Sequence, residues 1–402
     1  MEIELYMKKI LHVLFIKISN RSLFLLSIII RLVAPTRRGR VLMWSYGGKS
    51  YSCNPRALTD FMIQNYPEEY EIFWAFLPGK EYKKLPKDVK SVVFKTIKYI
   101  WIINTAEFIV TNTRNFLSNT LWIKKKSQKY IMTWHSSMGI KCIEGDASIE
   151  SLGEDYVKAA KFDSKQCNLI LSGSRFRTEV IKRAFWYKGE ILEQGTPRND
   201  ILFNDLKKIQ VRKSVRTFFK VPQYAPLVLY APTFRKSGNL SVYQLNWDKL
   251  NSAFKNVFGS EDCYSLVRLH PNLIEPGLET SRLIAFDHVM DATQYPDMQE
   301  LLIAADVLIT DYSSSMFDFS YIRKPVFLYA PDFKEYDRDT YFELDKLPFI
   351  LAKDEKTLLE AIEQFNMASY LHRLTIFLDE KIGSFEKGES CSSVIKWMKN
   401  NN

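Results

Sequence analysis

From Val41 onward, short apolar runs alternate with longer stretches of helical periodicity. The runs Val41–Tyr46, Glu71–Leu77, Glu107–Thr111, Lys129–His135, Asn168–Ser172 and Glu190–Glu193 predict strands in the first half. Leu227–Ala231, Tyr264–His270, Asp306–Thr310 and Pro325–Tyr329 predict strands in the second. Helical spacing falls between them, over 54–65, 96–104, 174–186, 203–219, 246–257, 297–304, 313–322, 355–366, 370–381 and 387–399. Apolar strands separated by helices are covered on both faces, the pattern of parallel sheets with a helical layer on each side. The alternation breaks near 201–224, where a Lys- and Arg-rich helix meets Val221-Pro222-Gln223-Tyr224-Ala225-Pro226. The expectation is an α/β protein with two doubly wound, Rossmann-like domains, 41–202 and 225–402, joined by a linker helix over 203–224. A length of 402 residues suits two domains at about 150 residues or more each. Two facing domains of this kind put the site in the cleft, at the carboxyl ends of strands.

Charge separates the N-terminus from that body. Of a formal net charge of +10, the first 40 residues carry +6, from Lys8, Lys9, Lys17, Arg21, Arg31, Arg37, Arg38 and Arg40 against Glu2 and Glu4. A body with so little net charge argues against nucleic acid as a partner. A hydrophobic content of 46% excludes a disordered tail protein. Five scattered cysteines without a CxxC pair fit a reducing compartment and exclude a disulfide scaffold or zinc ribbon. In residues 10–34 the longest charge-free apolar run is only 22–30, too short to span a bilayer. No small-residue cleavage site follows it. Leu11, Leu14, Phe15, Ile18, Leu25, Ile29 and Leu32 recur at helical spacing, with Lys17, Arg21 and Arg31 largely off that stripe. This predicts an amphipathic helix in the interface of an anionic membrane, the plainer alternative being a helix packed on the body. Lys208, Arg212, Arg216 and Lys220 form a basic stripe on the linker helix, read first as a solvated face.

Two of the five histidines fall at predicted strand ends, one per domain: Thr133-Trp134-His135-Ser136-Ser137 and Arg268-Leu269-His270-Pro271. One can accept a proton while the other steadies a phosphate, although a structural role is common for either. A third strand ends at Thr310 and runs through Asp311 and Tyr312 into Ser313, Ser314 and Ser315, which open a helix. Serines there either cap the free N–H groups or join them in an anion site. Tyr230-Ala231-Pro232-Thr233-Phe234-Arg235 delivers an arginine suited to bidentate phosphate contact. Gly195-Thr196-Pro197-Arg198-Asn199-Asp200 closes the first domain with turn residues that serve either structure or ligand. There is no GxxxxGK[ST] loop and no GxGxxG after the first strand; Gly47-Gly48-Lys49 stands there and hints at a close approach. No His, Cys and Asp cluster has metal-ligand spacing, so the sequence calls for no metal and no resident cofactor.

Taken in order, Thr133-Trp134-His135, Gly195–Asp200, Tyr230–Arg235, His270-Pro271 and Leu308–Ser314 resemble the CDP-glycerol glycerophosphotransferase family, the teichoic-acid primases and polymerases. The resemblance covers about residues 41–385. It implies a GT-B-like architecture, a CDP-glycerol or CDP-ribitol donor, a polyprenyl-linked or glycan acceptor, and peripheral, monotopic attachment to the cytoplasmic face of the membrane. By resemblance His135 is the general base, His270 and Asp311 complete the catalytic set, and Arg235, Thr310, Ser313, Ser314 and Ser315 bind the donor. Ser136, Arg198, Asn199 and Asp200 belong to the acceptor side or to structure. The family usually reads His-Gly-Thr-Pro where this chain has His135-Ser136-Ser137-Met138, so a hydroxymethyl replaces the glycine hydrogen at 136. The short N-terminal region resembles the family's shorter members, which add one or a few units. Two other readings remain open at this level: a GT-B glycosyltransferase using a CMP- or UDP-sugar, and a non-catalytic membrane scaffold on the same fold.

Overall fold

The computed structural model describes residues 19–402 apart from 83, 236–239, 271–282, 334 and 337–338. Its strands form two wholly parallel sheets. The first comprises β1 (Arg37–Trp44), β2 (Glu71–Phe76), β3 (Val89–Val93), β4 (Ala106–Thr111), β5 (Lys129–Met132), β6 (Leu169–Leu171) and β7 (Glu190–Leu192), in the order β3-β2-β1-β4-β5-β6-β7. The second comprises β8 (Leu227–Tyr230), β9 (Tyr264–Val267), β10 (Val289–Asp291), β11 (Val307–Thr310), β12 (Val326–Tyr329) and β13 (Ile350–Ala352), in the order β10-β9-β8-β11-β12-β13. Each order reverses direction once, at β1/β4 and at β8/β11, and these switch points open crevices at the strand carboxyl ends.

β3, β10 and β13, the strands absent from the expectation, lie at sheet edges. Lys90 and Ser91 of β3 are exposed and β10 is at best half-buried, so no continuous apolar run marks them. The helix Glu154–Gln166 also goes unpredicted, because its apolar residues are few. The helix Ser390–Asn400, expected with the second domain, packs instead on the first sheet. Cys391, Val394, Ile395, Trp397 and Met398 join Val41, Met43 and Trp74 in one core, and Asp200 accepts the Ser390 and Cys391 N–H groups at the helix start.

The basic stripe of the linker helix, Asp205–Phe218, is solvated only in part: Lys220, just beyond the helix, is exposed and Lys208 pairs with exposed Asp205, but the two arginines are tied down. Arg212 and Arg216 both pair with Asp306, and Arg216 also donates to the carbonyls of Ala304, Pro222 and Ala225. Asp306 further accepts from Lys324 and from the Leu227 N–H. These contacts fix the linker to the entry of the second sheet.

At the other end, Leu11, Leu14, Phe15, Lys17 and Ile18 lie outside the described residues. From residue 19 to 33 the chain is helical. Ile30 and Ala34 pack into the first domain's core, and Asn104 donates to the Ser27 hydroxyl. Leu25, Ile29, Leu32 and Val33 remain exposed. Among the described residues, no helix is long and apolar enough to cross a membrane.

Removing Asp306 strands a fully buried guanidinium. Asp306→Ala should therefore lower stability by about 3 kcal/mol, read as a lower urea midpoint; an unchanged midpoint would show that the carbonyl hydrogen bonds of Arg212 and Arg216 and the apolar contacts hold the linker without the carboxylate.

Candidate active site

Three neighbouring strands of the first sheet bring the His135 side together. Tyr46 follows β1, Asn112 follows β4 and His135 follows β5. Trp134 turns the chain out of β5 at φ 51°, a left-handed conformation costly for a bulky residue. Asn54 holds that turn by donating to the Thr133 and Trp134 carbonyls at 3.2 and 2.9 Å. The indole then packs on the imidazole at 4.6 Å and on Phe185 at 4.8 Å.

The imidazole Nδ1 lies 3.0 Å from the Asn112 carbonyl oxygen. A carbonyl only accepts, so Nδ1 carries the proton and Nε2 keeps its lone pair. Burial pulls the His135 pKa down to about 4, and the charges of Arg198 and Arg177 act in the same direction against the hydrogen bond to Asn112. His135 is thus a neutral, oriented imidazole in the ligand-free protein.

Arg198 donates to the His135 carbonyl oxygen at 2.7 Å and reaches across the cleft to Asp318. Asp318 sits on the short helix Ser315–Ser320 and is buried. It also accepts from Ser137 Oγ at 3.0 Å, Asn199 Nδ2 at 3.1 Å and Gln299 Nε2 at 3.0 Å. Ser137, Arg198 and Asn199 come from the first domain and Gln299 from the second. A second seam forms where residues 140–142 meet 339–341, through Tyr341 N–H to the Ile140 carbonyl and Cys142 N–H to the Asp339 carbonyl. A third pairs Arg56 with Asp297 and Glu300.

On the second sheet, loops after β8, β9 and β11 carry the other expected residues. Asp311 accepts the Thr233 N–H at 2.9 Å and pairs with Arg235 at 2.9 Å. Arg235 also engages Asp332 and both oxygens of Thr233, and lies 4.9 Å from the centre of the Tyr312 ring. Its donors are thus spent on tying three loops together. Thr310 points its hydroxyl into the sheet, to the Ala231 carbonyl. Ser313 Oγ accepts from the Ser315 N–H and pairs with the Ser315 hydroxyl, whereas Ser314 makes no side-chain cap. His270 is exposed on one side and lies beside Phe234 on the other, and this partial desolvation together with the Lys141 charge holds its pKa below the ordinary value. Pro271 and Lys236 lie outside the described residues.

His135, Ser136, Ser137 and Arg198 are therefore brought to one place, while Asp311 and Arg235 form a separate cluster. Asp200 caps the last helix. Gly48 is explained by the protein itself: a Cβ there would lie 2.5 Å from the Phe94 ring. Sequence reasoning passed over Asp318, although it stands three residues beyond the expected serines; a lone carboxylate in an apolar helix has no distinguishing spacing. Glu386 was passed over as well. It accepts from the Thr196 N–H and hydroxyl, and burial pushes its pKa up to about 8.

Two Rossmann-like domains, each a parallel sheet with one switch point and meeting at the carboxyl ends of their strands, define a GT-B-like fold. The chain belongs to the CDP-glycerol:poly(glycerophosphate) glycerophosphotransferase family, whose model matches residues 26–399. It is 30% identical over 376 residues to the teichoic acid poly(glycerol phosphate) polymerase of Bacillus subtilis (strain 168), covering 90% of this chain and 48% of that protein. It therefore spans about half the length of that relative. The protein of the same name from Bacillus spizizenii is 28% identical, with 92% of this chain and 95% of that one covered. Among solved structures, the wall teichoic acid polymerase TagF soaked with CDPG superposes with a TM-score of 0.82 at 26% identity, covering 99% of this chain and 98% of that one.

Asp318→Ala leaves the buried Arg198 without its countercharge. It should cost about 3 kcal/mol in guanidinium unfolding. An unchanged midpoint would remove Asp318 as the joint between the domains.

Proposed function

We propose that the chain transfers glycerol phosphate, or ribitol phosphate, from a CDP-polyol to a hydroxyl of a polyprenyl-linked or glycan acceptor, in teichoic acid or related cell-surface polymer synthesis. The observation that carries this reading is the oriented, neutral imidazole of His135 at the cleft of a chain in this family. The acceptor oxygen attacks the polyol-side phosphorus, and the bond from that phosphorus to the bridging oxygen breaks. CMP leaves with the bonding pair. His135 Nε2 takes the proton of the attacking hydroxyl. His270 and the Ser313–Ser315 turn face the donor phosphates in this reading. Asp311 and Arg235 act by fixing the loops around them, because their polar atoms are engaged with one another.

His135→Ala should cut CMP release by about 10²–10⁴-fold while leaving CDP-glycerol binding intact. Near-normal release would overturn the assignment. His270→Ala should lower release by about several hundred-fold if it stabilises phosphate charge in transfer. The depressed pKa of His135 gives a sign for pH dependence. A base is lost on protonation, so kcat/KM should fall only well below about pH 6.5, where an ordinary histidine would already be charged. The limb for kcat should lie at higher pH, because the bound dianionic donor favours the imidazolium.

The membrane reading is supported by exposed apolar side chains on two helices near the N-terminus. Leu25 is 64% exposed and Ile29 56% on the N-terminal helix; Trp101 is 47% exposed on the neighbouring helix Ile97–Thr105, linked to it through Asn104 and Ser27. The loop carrying Lys124, Lys125 and Lys126 packs against the same N-terminal helix, held by Arg31 to the Ile123 carbonyl and by Lys125 to the Ala34 carbonyl, and leaves Lys126 exposed. Apolar side chains flanked by lysines suit the interface of an anionic leaflet. Leu25→Glu with Trp101→Glu should abolish co-sedimentation with phosphatidylglycerol vesicles and leave donor binding unchanged. Undiminished sedimentation would move the contact elsewhere.

A further inference from the structure

Arg177 is a buried cation without a countercharge. It lies in the helix Arg175–Ala184, is only 2% exposed, and forms no ion pair with any described residue. Among the described residues its Nε and Nη1 have no hydrogen-bond partner, and Nη2 reaches only the Ser136 hydroxyl, at 3.3 Å. Every other buried arginine near the cleft is paired: Arg114 with Glu144 and Asp163, Arg198 with Asp318, Arg235 with Asp311 and Asp332. Desolvation correspondingly lowers the pKa of Arg177 to about 10. A guanidinium is retained in such a place at a stability cost, and the cost is relieved when an anion arrives.

The surroundings indicate where that anion enters. At half-buried Gly139, a Cβ would meet Arg177 Nη2 at 3.7 Å, Ser136 Oγ at 4.0 Å and the Ser314 Cβ at 4.0 Å. Three side chains from three segments, two in the first domain and one in the second, thus converge on a residue that contributes no side chain of its own. Ser136 adjoins His135, and Arg177 is near enough to bias the charge of that imidazole.

We propose that Arg177, with Ser136 and Ser314, receives the non-bridging oxygens of a phosphate ester between the two domains, next to the base His135. The inference rests on the CDP-polyol reading and adds to it the cation for the phosphate beside the base. The phosphate belongs either to the donor or to a phosphodiester of the acceptor; both offer the same oxyanion chemistry, to which a planar guanidinium is well matched. Charge developing on those oxygens during transfer would be stabilised by a group already fixed in place.

The test uses the full chain with Arg177→Met, which keeps much of the volume and removes the charge, and Arg177→Lys. Thermal unfolding is followed with and without millimolar inorganic pyrophosphate, and steady-state CMP release is followed against donor and acceptor concentration. Wild type should be stabilised by pyrophosphate. Arg177→Met should have a ligand-free midpoint equal to or above wild type, lose the pyrophosphate shift, and release CMP about a hundredfold more slowly. Arg177→Lys should recover part of both. A raised KM for the CDP-polyol alone identifies the donor phosphate, and a raised KM for the acceptor alone identifies the acceptor phosphodiester. A lower midpoint with unchanged kinetics, or an undiminished pyrophosphate shift, would overturn the proposal. Should Arg177→Met fail to fold, amide exchange in the wild-type chain decides: pyrophosphate should slow exchange across 136–139 and 175–178, and unchanged exchange there would overturn it. The pyrophosphate arms do not depend on which CDP-polyol is used, so absence of CMP release from any of them would sink the transferase reading without touching this one.

Discussion

Asp318 accepts hydrogen bonds from Ser137, Arg198, Asn199 and Gln299, and so joins side chains of both domains at one buried carboxylate. A carboxylate in that position is tolerable only while its partners stay in place; losing any one leaves a charge or a polar group unsatisfied away from water. Arg198 transmits the constraint to His135, since the same guanidinium holds the His135 carbonyl. The left-handed backbone at Trp134 and the Asn54 amide fix the loop from the other side. The position of the imidazole therefore depends in part on how the domains meet, while the proton on its Nδ1 is set within the first domain by the Asn112 carbonyl.

The parallel sheets and the strand-end placement of His135 and His270 are readable from the sequence, because central strands of a doubly wound sheet are apolar on both faces and bounded by turns. The edge strands β3, β10 and β13 are not, since one side of each lacks the cover that would demand apolar residues. The stripe Lys208, Arg212, Arg216 and Lys220 reads as a surface feature until Asp306 is placed beside it, 90 residues from Arg216. The same distance effect hides Asp318, Glu386 and Arg177. Their roles come from burial and from partners far along the chain, and nothing in local spacing separates a buried arginine from an exposed one.

The arginines illustrate how charge is divided between folding and chemistry. Arg114 and Arg216 are enclosed by carboxylates or carbonyl oxygens and hold structure. Arg198 and Arg235 hold loops that border the cleft. Arg177 alone among these is buried with only a serine hydroxyl for company. Keeping such a group destabilises the empty protein, in line with the general trade between stability and function at sites built for a ligand. Ser136, next to His135 in the chain, is the residue that touches it.

Transfer of a polyol phosphate with release of CMP is the claim on which the rest stands. It is tested most directly by mass analysis of the product formed from CDP-glycerol or CDP-ribitol and a lipid-linked disaccharide. The expected result is a product heavier by whole glycerol phosphate units, or by ribitol phosphate units, with one CMP released for each. An unmodified acceptor with both donors, or a gain in mass only with a sugar nucleotide, would contradict it.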